Sequence, residues 1–315
     1  MADAHAGPGA ARPAAGRPPE RGPAPCAREL TVRTDDGVTL HVEIDEAPGP
    51  VPTVLFVNGL NTALWYWQQQ REHLTGLARL AFFDHRGHGR SGPATVSGAT
   101  VARLARDLAA VIETVAPRGP VVLVGHSVGG MAITALAAQR PELFGPRVVG
   151  AALIDTLPGR LADVTPLPKA PARAAARLLW RAPAVRAGLA TVAFRHRRTS
   201  AVPGAPGGHL LQRLARFTGA FPSSAMFALL ADVVVCDYYV ALGVYASVAT
   251  TVIAGEDDPF FPVRHKQRVA GLIPGARLVT VPRGGHVSHL HAPQAVNAAL
   301  RDLAGLASAS PRSGP

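Results

Sequence analysis

The sequence predicts an α/β fold, a mostly parallel eight-stranded sheet with helices on both faces. Three observations carry the prediction. The later strand-like runs are continuously apolar rather than alternating, the pattern of strands buried on both sides. Helical periodicity lies between them, clearest at 101–115, where Val101, Leu104, Leu108, Val111, Ile112 and Val115 fall on one face. At Gly125, His126, Ser127, Val128 and Gly129, an apolar run passes straight into a helical pattern.

Taken in order, runs 30–33 and 38–44 flank Asp35, Asp36 and Gly37, a hairpin turn signal. Run 53–57 leads into Asn58, Gly59 and Leu60, and run 80–83 into an Asp84 to Ser91 turn rich in Gly and His. Run 121–124 precedes the Ser127 turn, and run 148–154 ends at Asp155. Run 251–255 is followed at once by Glu256, Asp257 and Asp258, which puts a carboxylate at a strand's carboxyl end. The last run, 276–281, leads through Pro282, Arg283, Gly284 and Gly285 to His286. No internal repeat is evident.

Composition places these elements in one main domain with an insertion. A chain of 315 residues, 48% hydrophobic, buries a substantial core. Residues 1–28 are mostly Ala, Gly, Pro and Arg and read as a disordered extension without the apolar stretch of a signal peptide. The core is expected at 29–156 and 247–308, a helical insertion at 157–246, and a flexible tail at 309–315. Within the insertion, helical patterns at 170–181, 184–197 and 210–217 precede an apolar stretch at 223–242. No 18-residue uncharged apolar stretch suggests a membrane span. With only two cysteines, Cys26 and Cys236, a reducing, cytoplasmic setting is expected.

Charge is uneven. Between Gly159 and Phe217 stand ten arginines and Lys169 against the single acid Asp163, so most of the formal net charge of +11 falls in the insertion. One reading is a docking face for an acidic acyl carrier protein, a coenzyme A thioester or an anionic surface. The other is compositional: with 30 arginines and two lysines in the chain, arginine is the default surface cation. No basic-aromatic motif indicates nucleic acid.

The chemistry begins at Ser127. A strand turning abruptly into a helix holds its hydroxyl above the sheet edge, and the Val128 N–H, at the helix N-terminus, faces the place where negative charge would develop. A serine is a weak nucleophile unless a base takes its proton. His286 and a carboxylate from 256–258 follow in the chain, each just past a strand. The remaining histidines, among them His85, His88, His126, His289 and His291, show no metal spacing and read as structural.

These motifs together resemble the α/β-hydrolase superfamily. Gly125 to Gly129 matches its nucleophile turn, Asn58-Gly59-Leu60 its oxyanion loop with asparagine in place of histidine, and Asp84-His85-Arg86-Gly87-His88-Gly89-Arg90-Ser91 its Asp-X-Arg-Gly-X-Gly-X-Ser turn. The resemblance covers roughly 30–156 and 247–307. It implies Ser127 as nucleophile, His286 as base and then acid, and Asp258 as the group orienting the imidazole, since the family counts Gly-X-X-Asp from Gly255. Asp257 stays open as a substitute, and Asp155 as a third candidate with a capping role as its alternative. The resemblance also implies an oxyanion hole from the N–H groups of Leu60 and Val128, and a cap formed by the insertion. Asn58, Trp65, Met226, Phe227 and Tyr238 are the expected pocket lining.

The expected function is hydrolysis of a carboxylic ester or thioester with a medium-sized hydrophobic acyl group, through an acyl-enzyme and without metal or organic cofactor. A serine nucleophile argues against epoxide hydrolase or haloalkane dehalogenase chemistry, which uses aspartate. The few acids of the cap argue against a proline iminopeptidase. A cofactor-free perhydrolase, a biosynthetic cyclase or lyase, and a non-enzymatic small-molecule receptor remain as alternatives on the same fold.

Overall fold

A computed structural model describes residues 28–49, 51–164 and 224–309. The expected extension up to residue 27, the helical patterns at 170–217 and the tail from 310 lie outside the described residues. The strands are β1 (Arg28–Arg33), β2 (Thr39–Asp45), β3 (Thr53–Val57), β4 (Arg79–Phe83), β5 (Val121–His126), β6 (Val148–Ile154), β7 (Ala249–Gly255) and β8 (Arg277–Val281). They form one eight-stranded sheet in the order β1-β2-β4-β3-β5-β6-β7-β8. The β1–β2 and β2–β4 pairs are antiparallel, and every pair from β4 onward is parallel.

The apolar strands reflect a sheet with two cores. Leu55, Val57, Ala81, Phe83, Val121 and Leu123 point to one face, where they meet α2 (Val101–Val115) and α3 (Val128–Gln139). Val54, Phe56, Leu80, Phe82, Val122 and Val124 point to the other face, toward Trp67 and the last helix. Helix α1 (Gln68–Leu74) lies on that second side. Helix α2 buries the stripe read from its sequence, and Thr100 caps it by accepting from the Arg103 N–H at 3.1 Å. Helix α3 is buried over residues 128–137, which suits its run of Gly and Ala.

The loop after β4 is held by ion pairs. Arg86 pairs with Asp107 through Nε and Nη2, both at 2.6 Å, and with Asp36 at 2.8 Å, and the Arg86 and Asp107 side chains are 2% and 0% exposed. Removing one partner of a buried pair leaves the other charge uncompensated. Arg86→Ala is therefore expected to destabilise the fold by about 3–5 kcal/mol. Urea denaturation checks this, and a loss under about 1 kcal/mol, as for an exposed pair, would contradict it.

After β6 the chain enters the insertion through α4 (Leu161–Val164) and returns by α5 (Ser224–Val235) and a 3-10 segment, Tyr239–Ser247. The two crossings are tied together. The Arg160 N–H donates to Cys236 O at 2.8 Å, the Tyr238 N–H to Pro158 O at 2.9 Å, and Arg160 Nε meets Asp237 Oδ2 at 2.7 Å. Asp232 on α5 accepts from the Val101 N–H at 2.8 Å and so fixes the returning helix to the start of α2. The chain ends in α6 (Val263–Leu272), β8, α7 (Ser288–His291) and α8 (Pro293–Ala309). Among the described residues, no helix is long and apolar enough to cross a membrane.

Candidate active site

The site lies where β3, β5, β6, β7 and β8 end. Ser127 joins β5 to α3 with φ 52° and ψ −118°, a left-handed backbone that a side chain rarely adopts. The turn closes only with glycine at 129, where a Cβ would collide with the carbonyls of Val57 and Asn58. The Ser127 N–H donates to Ile154 O at 3.0 Å, which locks the turn to β6. Val128 then begins α3, so its N–H precedes the first intrahelical acceptor.

Ser127 Oγ lies 2.9 Å from His286 Nε2, and His286 Nδ1 lies 2.9 Å from Asp258 Oδ2. An ionised carboxylate only accepts, so Nδ1 carries the hydrogen and Nε2 is left to accept from the serine hydroxyl. The rings of Phe260 and Phe261 stand edge-on to the imidazole, each with centroids 5.0 Å away, and limit its rotation. Asp258 is itself fixed: Oδ1 accepts from the N–H groups of Phe260 (2.9 Å) and Phe261 (3.0 Å), and Oδ2 also meets Lys266 Nζ at 2.8 Å. Burial opposes its charge, but the hydrogen bond and charge of His286, together with Lys266, hold the carboxyl down at about 2.

The other two acids sit elsewhere. Asp257 is exposed, and its backbone N–H donates to Gly284 O at 2.8 Å. Asp155 is fully buried at φ 44° and accepts from the Gly255 N–H at 2.7 Å, from Lys266 at 2.9 Å and from the Ser288 N–H at 3.0 Å. It ties β6 to β7 and to the segment after His286, close to the capping alternative.

The loop after β3 is braced from several sides. Asp84 Oδ1 accepts from the Leu64 N–H at 2.8 Å, His88 Nε2 accepts from the Asn61 N–H at 2.9 Å, and His85 Nε2 donates to Asn58 O at 2.9 Å. Asn58 does not line a pocket as expected. Its amide donates to Phe83 O at 2.9 Å and accepts from Trp67 Nε1 at 2.7 Å, and it is 1% exposed, so both polar ends are used in bracing the loop. Gly59 is held against the end of β5, since a Cβ there would stand 2.7 Å from His126 Nδ1 and 3.5 Å from Ser127 Cβ. Leu60 follows it, packed at the edge of the core on the α2 and α3 side.

The other expected lining residues are scattered. Trp65 is 55% exposed and contacts Tyr66 edge-on. Met226, on α5, is buried over the Arg86 to His88 loop and α2. Tyr238 is half-buried beside the crossing of the insertion. The side chain of Phe227 lies outside the described part of the molecule.

Three buried imidazoles lie around His286 and the loop after β3. Burial lowers His126 to about 4, His85 to about 3 and His289 well below the usual range, so all three are neutral at neutral pH. His126 Nε2 meets His286 O at 2.6 Å, and His289 packs 4.6 Å from both the His126 and Trp67 rings. Away from the site, Glu29, His41 and Glu43 bring potential ligand atoms within 4.8 Å of one another. Arg90 and Arg71 already pair with those carboxylates, each at 2.6 Å. Lys266 was not singled out from the sequence, where it stands among the other cations of an apparently basic helix.

The chain belongs to the α/β-hydrolase fold family, whose model matches residues 52–293. It is 27% identical over 285 residues to a Caulobacter vibrioides protein provisionally named carbamate hydrolase RutD, covering 87% of this chain and 97% of that one. Among solved structures, a hydrolase from Pseudomonas aeruginosa superposes with a TM-score of 0.63 at 26% identity, covering 89% of this chain and 99% of that one. An enzyme described as degrading N-acyl homoserine lactones superposes at 0.63 with 27% identity, covering 87% and 99%. Fold and kinship class the chain as a hydrolase.

Proposed function

We propose that this chain is a serine hydrolase that cleaves a carboxylic ester or thioester with a medium-sized hydrophobic acyl group. The observation that carries the reading is the hydrogen-bonded series from Ser127 through His286 to Asp258, 2.9 Å at each step, at the N-terminus of α3. His286 Nε2 takes the hydroxyl proton as Ser127 Oγ attacks the carbonyl carbon. Asp258 holds the imidazolium, and the N–H groups of Val128 and Leu60 receive the oxyanion. The imidazolium then protonates the leaving group. Water, deprotonated by the same nitrogen, releases the acid and frees the serine.

The apolar sequence of α5 favours a hydrophobic acyl group over a sugar or peptide. The lactone-degrading and carbamate-named relatives point to carbonyl substrates attacked in the same way. The arginine-rich stretch of the insertion, most of which lies outside the described residues, suits an acidic acyl carrier or coenzyme A thioester. A free thiol at Cys236 suits a reducing, cytoplasmic setting.

The test is a panel of p-nitrophenyl esters of increasing acyl length, with acyl-thioesters, an acyl homoserine lactone and an aryl carbamate, followed in the pre-steady state. Expected are a burst of one leaving group per chain, an added acyl mass on the peptide containing Ser127, and an optimum at intermediate acyl length. No turnover of any member, or turnover without Ser127 acylation, would overturn the reading.

A further inference from the structure

Lys266 is the one charged side chain among the twelve largest fully buried ones of the described residues, and one of only two lysines in the sequence. It lies on α6, whose buried positions are Lys266, Val269 and Ala270. A spacing of three and four places it on the stripe that a surface helix ordinarily fills with apolar side chains. A lysine there demands partners, and it has them. Nζ donates to Asp155 Oδ1 at 2.9 Å, Asp258 Oδ2 at 2.8 Å and Gly255 O at 3.0 Å. Three acceptors, two of them carboxylates, match the three N–H bonds of an ammonium, whereas a neutral amine has two to give.

We propose that Lys266 is a positioning residue for acyl transfer: it cancels the charge of Asp155, so that His286 faces the field of a single anion, Asp258. The inference rests on the serine-hydrolase reading and deepens it. At rest the buried group of Asp155, Lys266, Asp258 and neutral His286 carries one net negative charge. Proton transfer from Ser127 to His286 brings it to zero. Without Lys266 the resting group would carry two negative charges, which favour the protonated imidazole and oppose its action as base. Lys266 also donates to Asp258 Oδ2, the oxygen that His286 contacts, while the N–H groups of Phe260 and Phe261 fix Oδ1.

Among the described residues, the other titratable groups around the imidazole are His126 at the end of β5 and His289 on α7, with His291 beside His289. Burial keeps His126 and His289 neutral, and both are the same in every variant compared below. Glu256 and Asp257, on the loop after β7, are solvent-exposed. Among the described residues, the charges that bear on His286 through buried hydrogen bonds are those of Asp258, Lys266 and Asp155.

The test compares the full chain with Lys266→Met and Asp155→Asn. Two readouts are taken against pH: the rate at which a fluorophosphonate modifies Ser127, and the titration of the His286 ring in NMR spectra assigned with His286→Gln. Removing the cation is expected to move the acidic limb of the modification rate, and the NMR midpoint, up by about 1 pH unit. Removing the Asp155 charge is expected to move both down by a similar amount. A side chain that merely fills space would lower the melting temperature of both variants and leave the limbs in place. Unmoved limbs, or limbs displaced in the same direction, overturn the proposal. If Lys266→Met does not fold, the downward shift in Asp155→Asn decides. If the wild type is not modified at Ser127, the serine-hydrolase reading falls while the NMR midpoints still judge Lys266.

Discussion

Ser127→Ala is expected to lower kcat on the best ester of the panel by about 10⁴–10⁶-fold, with the urea midpoint unchanged. The Ser127 hydroxyl is hydrogen-bonded to His286 Nε2 at 2.9 Å, so its loss removes the nucleophile of the proposed reaction. A residual rate above that of water remains, because the N–H groups at the start of α3 and the substrate's binding contacts survive the change. Stability is spared because alanine keeps the Cβ and inherits the same φ of 52°, so backbone strain is neither added nor relieved. The measurement is steady-state hydrolysis by variant protein whose fluorophosphonate labelling has been shown to be nil, which excludes traces of wild type. A variant retaining more than a tenth of the activity would end the nucleophile assignment.

Acid is expected to unfold the chain well before its carboxylates are titrated. His85 and His126 are held at about 3 and about 4 by burial, and His88 and His289 are lowered for the same reason. A histidine whose folded value lies below its unfolded value binds its proton more readily in the unfolded chain. The stability it contributes is therefore complete above about pH 6.5 and is lost as the pH falls toward the folded value, at up to about 1.4 kcal/mol per pH unit for each ring. For His126 alone the window runs from about 6.5 to about 4. Asp258, depressed to about 2, adds a second loss in the same direction below about pH 4. Urea midpoints at pH 7.5, 6 and 5 should fall steeply over the last two values. A midpoint that stays level from 7.5 to 5 would mean that these rings are not buried as described.

What the sequence made legible was local. A strand buried on both faces is spelled in its own residues, and so is the turn at Ser127, where glycines are required by atoms only a few ångströms away. The chain order of serine, acid and histidine was visible as well, because each follows its strand directly. What escaped were pairings across the sheet. Asp155 takes partners 100, 111 and 133 residues further along the chain. The inward turn of Lys266 is hidden by its neighbours Arg264, His265 and Arg268, and only Val269 and Ala270 hint at which side of that helix is dry. Asn58 read as a pocket residue because the partners that occupy its amide, Phe83 O at the end of β4 and Trp67 Nε1 on the segment after β3, meet it only in the folded chain.

The pinned crossing at Pro158 to Arg160 and Cys236 to Tyr238 has a consequence for how such a chain can diversify. Residues 158–160 and 236–238 close against each other through backbone hydrogen bonds that depend little on side-chain identity. The described return of that stretch is built into the body of the fold, since Ala228, Leu229 and Val233 of α5 pack in the core with α2 and α3 and Asp232 accepts from the Val101 N–H. Sequence change that spares this crossing and α5 is therefore expected to leave the framework under Ser127, Asp258 and His286 standing.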